Sequence, residues 1–198
     1  LLVYAITALG YGGTFLSFTY LASILQDVTG FSANAVSGVL LVYGVSVAIG
    51  NLWGGRQADR RGPIPALMLI FSLLALVLLA LTFTAHSTVL VLLTVLALGA
   101  VAFGNVPGLQ VYVVKQAQRF APQAADVASG LNIAAFNVGI AMGASLGGLV
   151  VDHLGLMHTP WLGALVVLGA LGLTALSGRL DRRDGVADRA EGIAVTAH

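Results

Sequence analysis

Apolar residues run in six blocks along this chain, each close to the roughly 20 residues that cross a bilayer as helix. By pattern the blocks fall at about 2–25, 34–53, 64–84, 88–114, 127–151 and 160–178. Turn-forming stretches separate them: Thr29-Gly30, Gly62-Pro63, His86-Ser87, Ala121-Pro122, Gly155 and Thr159-Pro160. The prediction is an all-α membrane protein, a six-helix transmembrane bundle over residues 1–178 embedded in lipid. From Arg179 onward the residues turn small and charged, and 179–198 reads as a cytoplasmic, disordered tail.

Polarity sorts the spans. The third and sixth contain no amide or charged side chain, which predicts outer helices facing lipid all round. The other four carry polar groups that cost free energy in hydrocarbon unless they meet partners or water. Those four should face protein or a wet cavity. In span one, Tyr4, Thr7, Tyr11, Thr14 and Phe18 recur at spacings of three and four, making one helical stripe. Rings and hydroxyls without charge suit a cavity for amphipathic or sugar-like molecules. Interfacial belting, with Tyr at headgroup depth, is the alternative; it fits Tyr4 or Tyr20, whereas Tyr11 falls near mid-membrane. Span four adds Asn105 and Gln110, with Pro107 expected to bend the helix near them. Span five adds Asn132 and Asn137. For each of these amides, a structural bond between helices is an equal alternative to contact with a solute. Ala135, Gly139, Gly143 and Gly147 stand at every fourth position of span five, a spacing that lets helix backbones approach.

Charge adds sidedness and excludes chemistry. Hydrophobic residues make up 58% of the chain and charged ones 9%, so the few charges that remain are informative. Arg56, Arg60 and Arg61 follow span two; Lys115 and Arg119 follow span four; Arg179, Arg182, Arg183 and Arg189 follow span six. An up-down path puts all of them on one side, the cytoplasmic one by the positive-inside rule, with both ends of this piece there too. Basic residues scattered among turns give no footprint for nucleic acid. No Asp, Glu, Lys, Arg or His lies mid-span, which argues against acid–base or metal catalysis in the membrane. The protein reads as no enzyme, with no metal and no cofactor; His86, His153 and His158 are too dispersed for a metal triad. Cysteine is absent, which excludes disulfides and thiolate sites. The chain opens inside an apolar run, without Met or a basic flank, and reads as part of a longer one.

Gly54-Gly55-Arg56-Gln57-Ala58-Asp59-Arg60-Arg61-Gly62 returns later as Gly147-Gly148-Leu149-Val150-Val151-Asp152-His153-Leu154-Gly155, with its arginines gone. Gly-Gly and Asp-x-x-Gly are common turn chemistry and can coincide by chance, but Val36-Ser37-Gly38 and Ala128-Ser129-Gly130 align as well. Spans one to three (about 1–84) then correspond to spans four to six (about 88–178). Three helices per unit force the second copy upside down, a recurring build of secondary transporters. The two stretches are expected to be equivalent turns on opposite sides of the membrane.

The stretch Gly55 to Gly62 resembles the G-x-x-x-D-R-x-G signature of the major facilitator superfamily. Gly12-Gly13-Thr14-Phe15-Leu16-Ser17-Phe18-Thr19-Tyr20 and Ala134-Ala135-Phe136-Asn137-Val138-Gly139 are similar to the arabinose-efflux-permease-like, drug:proton antiporter branch. The resemblance covers about 1–178 and implies the C-terminal six helices of a twelve-helix transporter. Its implied partners are the N-terminal six-helix half of the same protein and a small-molecule substrate. It implies alternating access, export of a sugar or drug-like solute by proton antiport, and a plasma-membrane location (the inner membrane in bacteria). Gly55, Asp59, Arg60 and Gly62 become a cytoplasmic gate motif, and Gly148, Asp152 and Gly155 its outward counterpart. The proton is the implied coupling ion. Its site is expected in the other half, or else at Asp27 or Asp126. One departure stands out: Pro63 and Ile64 follow the last glycine, where the family usually continues with basic residues. Uptake, or a non-transporting sensor or scaffold on the same helices, are the alternatives.

Overall fold

The computed structural model describes residues 1–196, with side chains through Arg183. Six helical spans long and apolar enough to cross a membrane are present: Leu2–Val28, Ala33–Arg61, Pro63–Thr84, Thr88–Phe120, Pro122–His153 and His158–Arg183. They are numbered one to six below. Each outruns its apolar block, because polar residues can extend a helix beyond the hydrocarbon, where water satisfies them. The last helix continues past Gly178 through Thr196. Most of the 179–198 tail thus lies outside the described side chains.

Span one packs along spans five and six, span three along six and four, and span two along four. Span three is therefore central to the bundle. Its Leu67, Ile70, Phe71, Leu74, Leu78 and Leu81 are fully buried, and only a strip including Met68, Leu76, Leu79 and Phe83 is exposed. Span six likewise buries Ala164, Val167, Ala170 and Thr174. This corrects the expectation that spans three and six face lipid all round. An apolar side chain is equally at home against lipid or protein, so the absence of polar residues could not choose between them. The most open helices are instead spans two and five, which expose Leu41, Val45, Ile49, Leu52, Val138, Met142 and Leu149.

The repeat is visible in the backbone. Ala33–Arg61 and Ala125–His153 are both uninterrupted helices of 29 residues. The matched glycines Gly62 (φ 82°) and Gly155 (φ 101°) follow their ends in the left-handed region that L side chains rarely adopt. Most of each Gly-Gly-to-Gly stretch is thus the last turns of a helix, not a turn; only the final glycine reverses the chain. The eight lysines and arginines among the residues whose side chains are described all fall near the C-terminal ends of spans two, four and six, which an up-down path brings to one end of the bundle, called the basic end here.

Two spans are broken. Span four divides into Thr88–Ala102 and Asn105–Phe120. Pro107 explains the break: it has no N–H for the carbonyl four residues back, that of Phe103, and its ring crowds that carbonyl. Phe103 O takes the Val106 N–H instead, at 3.2 Å. Span one leaves α-helical geometry after Phe18, resumes for Leu21–Ser23, and ends in a π-helical turn over Ile24–Val28. Nothing in its composition announced this.

Candidate transport cavity

A hollow of about 330 Å³ lies midway along spans one, four and five, with Asn51 of span two on its wall. Span one presents Thr7 and Tyr11 to it, and span five presents Asn132 and Phe136. The basic half of span four begins at Asn105, and its first turns present Val106, Leu109 and Gln110. The Tyr11 ring meets Phe136 edge-on, with centroids 4.0 Å apart, and Phe103 at 6.2 Å. The wall is thus partly aromatic and partly amide, with no charged side chain.

Hydrogen bonds tie this wall together. The Thr7 hydroxyl donates to Asn132 Oδ1 at 2.7 Å. Asn132 Nδ2 donates to Gln110 Oε1 at 3.3 Å, and Gln110 Nε2 donates to Ser129 Oγ. The Tyr11 hydroxyl donates to Asn105 Oδ1 at 2.8 Å. Such bonds between helices in a membrane contribute on the order of 0.6 kcal/mol each, so they orient side chains more than they hold the bundle. Asn105 Nδ2 and the Tyr43 hydroxyl are buried without a hydrogen-bond partner.

The structure brings Thr7, Tyr11, Gln110 and Asn132 to one hollow, with Asn105 held behind Tyr11. Tyr4 lies toward the basic end, in a second hollow of about 300 Å³. Phe18 stacks on Tyr43 at 5.0 Å, toward the other end. Thr14 is buried and bonds back to Gly10 O of its own helix at 2.7 Å. Asn137 is exposed and bonds back to Ile133 O at 2.9 Å; it does not line the hollow. Five positions beyond Asn132, it sits roughly 140° around the helix. Phe103 and Phe136 were not named as cavity residues from the sequence, since a phenylalanine that falls on no polar stripe has little contrast inside an apolar run.

The glycine ladder serves close packing. A Cβ on Gly139 would stand 2.4 Å from Ala8 O, one on Gly143 2.3 Å from Gly12 O, and one on Gly147 2.6 Å from the Tyr20 ring. At the basic end, Asp59 and Arg60 are exposed on the last turn of span two. Asp152 is exposed at the opposite end, and the Tyr20 hydroxyl near Gly148 donates to Ala144 O at 3.0 Å. A polar cluster unforeseen from the sequence joins spans four and six. Tyr112 bonds Asp181 at 2.9 Å and Ser177 at 2.5 Å, and Gln116 bonds Asp181 at 2.7 Å. Among the described residues no three His or carboxylate side chains gather as metal ligands do.

The sequence pattern of the Major Facilitator Superfamily matches residues 1–192. The chain belongs to the major facilitator superfamily. The relatives described next are named as transporters, and none of them as an enzyme. It is 55% identical over 184 residues to "Uncharacterized MFS-type transporter YtbD" of Bacillus subtilis, covering 93% of this chain and 46% of that one. It is 37% identical over 176 residues to "Inner membrane transport protein YdhP" of Escherichia coli K12, covering 87% and 43%. A "Probable sugar efflux transporter" of Mannheimia succiniciproducens is 29% identical over 171 residues, covering 86% and 41%. The chain thus spans less than half the length of these superfamily relatives. Six spans built as two inverted units fit half of the superfamily's fold.

Proposed function

We propose that this chain forms the C-terminal half of a transporter that exports a small, uncharged organic solute, of sugar or drug-like kind, by alternating access. The observation that carries the proposal is the mid-span hollow, walled by Tyr11 and Phe136 rings and by Asn132 and Gln110 amides. Ring faces take the apolar face of a sugar or a drug, and the amides hydrogen-bond its polar edge. The first helix of each repeat contributes to this wall, as two units that exchange conformations around a midplane site require. The open apolar faces of spans two and five are where the N-terminal six-helix half docks. The basic end faces the cytoplasm of a bacterial cell, and Asp59 and Arg60 close that side against helix ends of the other half. Export is supported by the name of the Mannheimia relative and by the branch the sequence resembles. Coupling to protons requires a titratable group in the pathway. With none on this wall, that group belongs to the other half.

The test is transport by the full-length protein in inside-out vesicles acidified within. Panels of neutral sugars and neutral aromatic compounds should accumulate against their gradient and leave when the pH gradient is dissipated. Phe136→Ala should lower accumulation at least about tenfold, the equivalent of roughly 1.4 kcal/mol of binding. Accumulation of none of them, or an unchanged rate in the variant, would overturn the assignment.

A further inference from the structure

A third hollow, of about 290 Å³, opens at the basic end among spans three, four and six, off the apolar faces of spans two and five. Pro63 and Pro65 line it from span three, Tyr112, Lys115 and Arg119 from span four, and Asp181 from span six. Ile64, also on its wall, packs so closely on span six that a Cβ on Gly178 would stand 2.7 Å from Ile64 Cγ2. The sequence sets its depth. Lys115 directly follows the apolar block 88–114, Asp181 comes soon after 160–178, and Pro63 directly precedes 64–84. Three helices leave the hydrocarbon together here, at the level of lipid headgroups. Lys115 and Arg119 are exposed and Asp181 is half-buried, so charges of both signs share one hollow at the membrane surface. We infer that this hollow holds the headgroup of a phospholipid ending in a primary ammonium, with the phosphate on Lys115 and Arg119 and the ammonium on Asp181.

The donors and acceptors decide the assignment. An anion beside the start of a helix is ordinarily met by backbone N–H groups. Span three begins Pro63-Ile64-Pro65, proline has no N–H, and the Ala66 N–H goes to Gly62 O at 3.3 Å. Side chains of span four must therefore hold the phosphate. Lys115 brings three donors, and Arg119 brings five, enough to serve a phosphate beside another contact. Asp181 is aimed by its neighbours: Oδ2 accepts from the Tyr112 hydroxyl at 2.9 Å and Oδ1 from Gln116 Nε2 at 2.7 Å. A carboxylate has about four acceptor positions, so two remain for an ammonium. Two cations and one carboxylate thus match a phosphodiester with an ammonium beyond it. A headgroup of negative charge alone would be repelled by Asp181, and a quaternary ammonium has no N–H to give it. Basic pockets between helices on the cytoplasmic side are a recurring place for lipid headgroups. The inference rests on placement in a membrane, not on transport.

Pro65→Cys puts a thiol on the wall of this hollow, in the full-length protein with any other cysteines replaced. The protein is reconstituted in nanodiscs of dioleoylphosphatidylcholine, with or without dioleoylphosphatidylethanolamine. Both lipids are zwitterionic, so the surface potential stays the same. A neutral, water-soluble maleimide is added and its labelling rate read. Phosphatidylethanolamine should slow labelling about tenfold, the effect of one charge-assisted hydrogen bond. Lys115→Gln and Asp181→Asn should each abolish the slowing; Lys115→Gln, at an exposed position, carries the test if Asp181→Asn does not fold. Val127→Cys, in the other basic-end hollow, should label at one rate in both discs. No slowing at Pro65→Cys would overturn the site, as would slowing that survives Lys115→Gln or is equalled at Val127→Cys. Slowing lost with Lys115→Gln but kept with Asp181→Asn would overturn the ammonium contact. Soluble glycerophosphoethanolamine, added to phosphatidylcholine discs, should have no effect; slowing as strong as the lipid's would make this a site for soluble phosphodiesters and overturn the lipid.

Discussion

Two seams hold this bundle at closest range, and they are made from the same sequence device. Span five lies on span one through Gly139, Gly143 and Gly147; span two lies on span four through Gly50 and Gly54. A Cβ on Gly50 would stand 2.0 Å from Ala100 O, and one on Gly54 1.9 Å from Gly104 O. In each case the second helix of one repeat packs on the first helix of the other. The repeats are thus interlocked, and neither three-helix unit is a body of its own. The seams differ in what lies beneath them. Gly54 sits over the break at Phe103–Gly104, whereas Gly143 sits over intact helix. Beside its last glycine, Gly147, the span-five seam is stapled by Tyr20, whose hydroxyl reaches back to Ala144 O. Beyond Gly54, span two ends in exposed Arg56, Asp59 and Arg60. One duplicated pattern has become a pinned seam at one end and a charged, unpinned one at the other.

The comparison breaks most sharply at the glycines. Gly54→Ala and Gly143→Ala each drive a methyl into backbone, which cannot yield as a side-chain tip can. Each should destabilise the detergent-solubilised protein by on the order of 3 kcal/mol, read as a loss of thermal stability. Gly38→Ala, with nothing within 4 Å of its Cβ, should gain up to about 1 kcal/mol from helix propensity. If Gly54→Ala matched Gly38→Ala instead, the span-two seam would not be a tight one. Next comes the difference between the two ends. Asp59→Asn should lower solute flux by about tenfold, if Asp59 contributes the ~1.4 kcal/mol of a gate contact, with membrane insertion intact. Asp152→Asn, at the matched position without arginines, should leave flux near wild type. Equal effects in initial-rate assays would make the repeat's ends functionally alike. The smallest effect is at the staple. Tyr20→Phe removes one hydrogen bond and should cost about 0.6 kcal/mol, visible as a slight fall in melting temperature; a fall as large as that of Gly143→Ala would mean the hydroxyl holds the seam.

Much of this was legible in the sequence because the membrane makes polarity expensive. Thr7, Tyr11, Gln110 and Asn132 stand out in apolar runs, and the structure gathers them at one hollow. Asn137 stands out equally, but its helical phase turns it away, and phase is fixed only once the neighbours of span five are known. Spans three and six were misplaced for the converse reason: leucine against lipid and leucine against protein look the same in a string of letters. The Tyr112–Asp181 cluster was missed because Asp181 reads as the start of a charged tail. Only the continued helix of span six carries it back to span four. The break in span four was expected at Pro107, and it falls where proline's lost donor is felt, one turn earlier.

The wall of the mid-span hollow is polar but bears no charge, and this has an electrical consequence. Moving one elementary charge through the full membrane field costs about 2.3 kcal/mol per 100 mV. Among the described residues, the carboxylates and the basic groups all lie near the helix ends, so a rearrangement around the hollow carries almost none of them through the field. The six described spans are therefore close to electrically silent, and a rearrangement among them adds almost nothing to the voltage dependence of whatever they do.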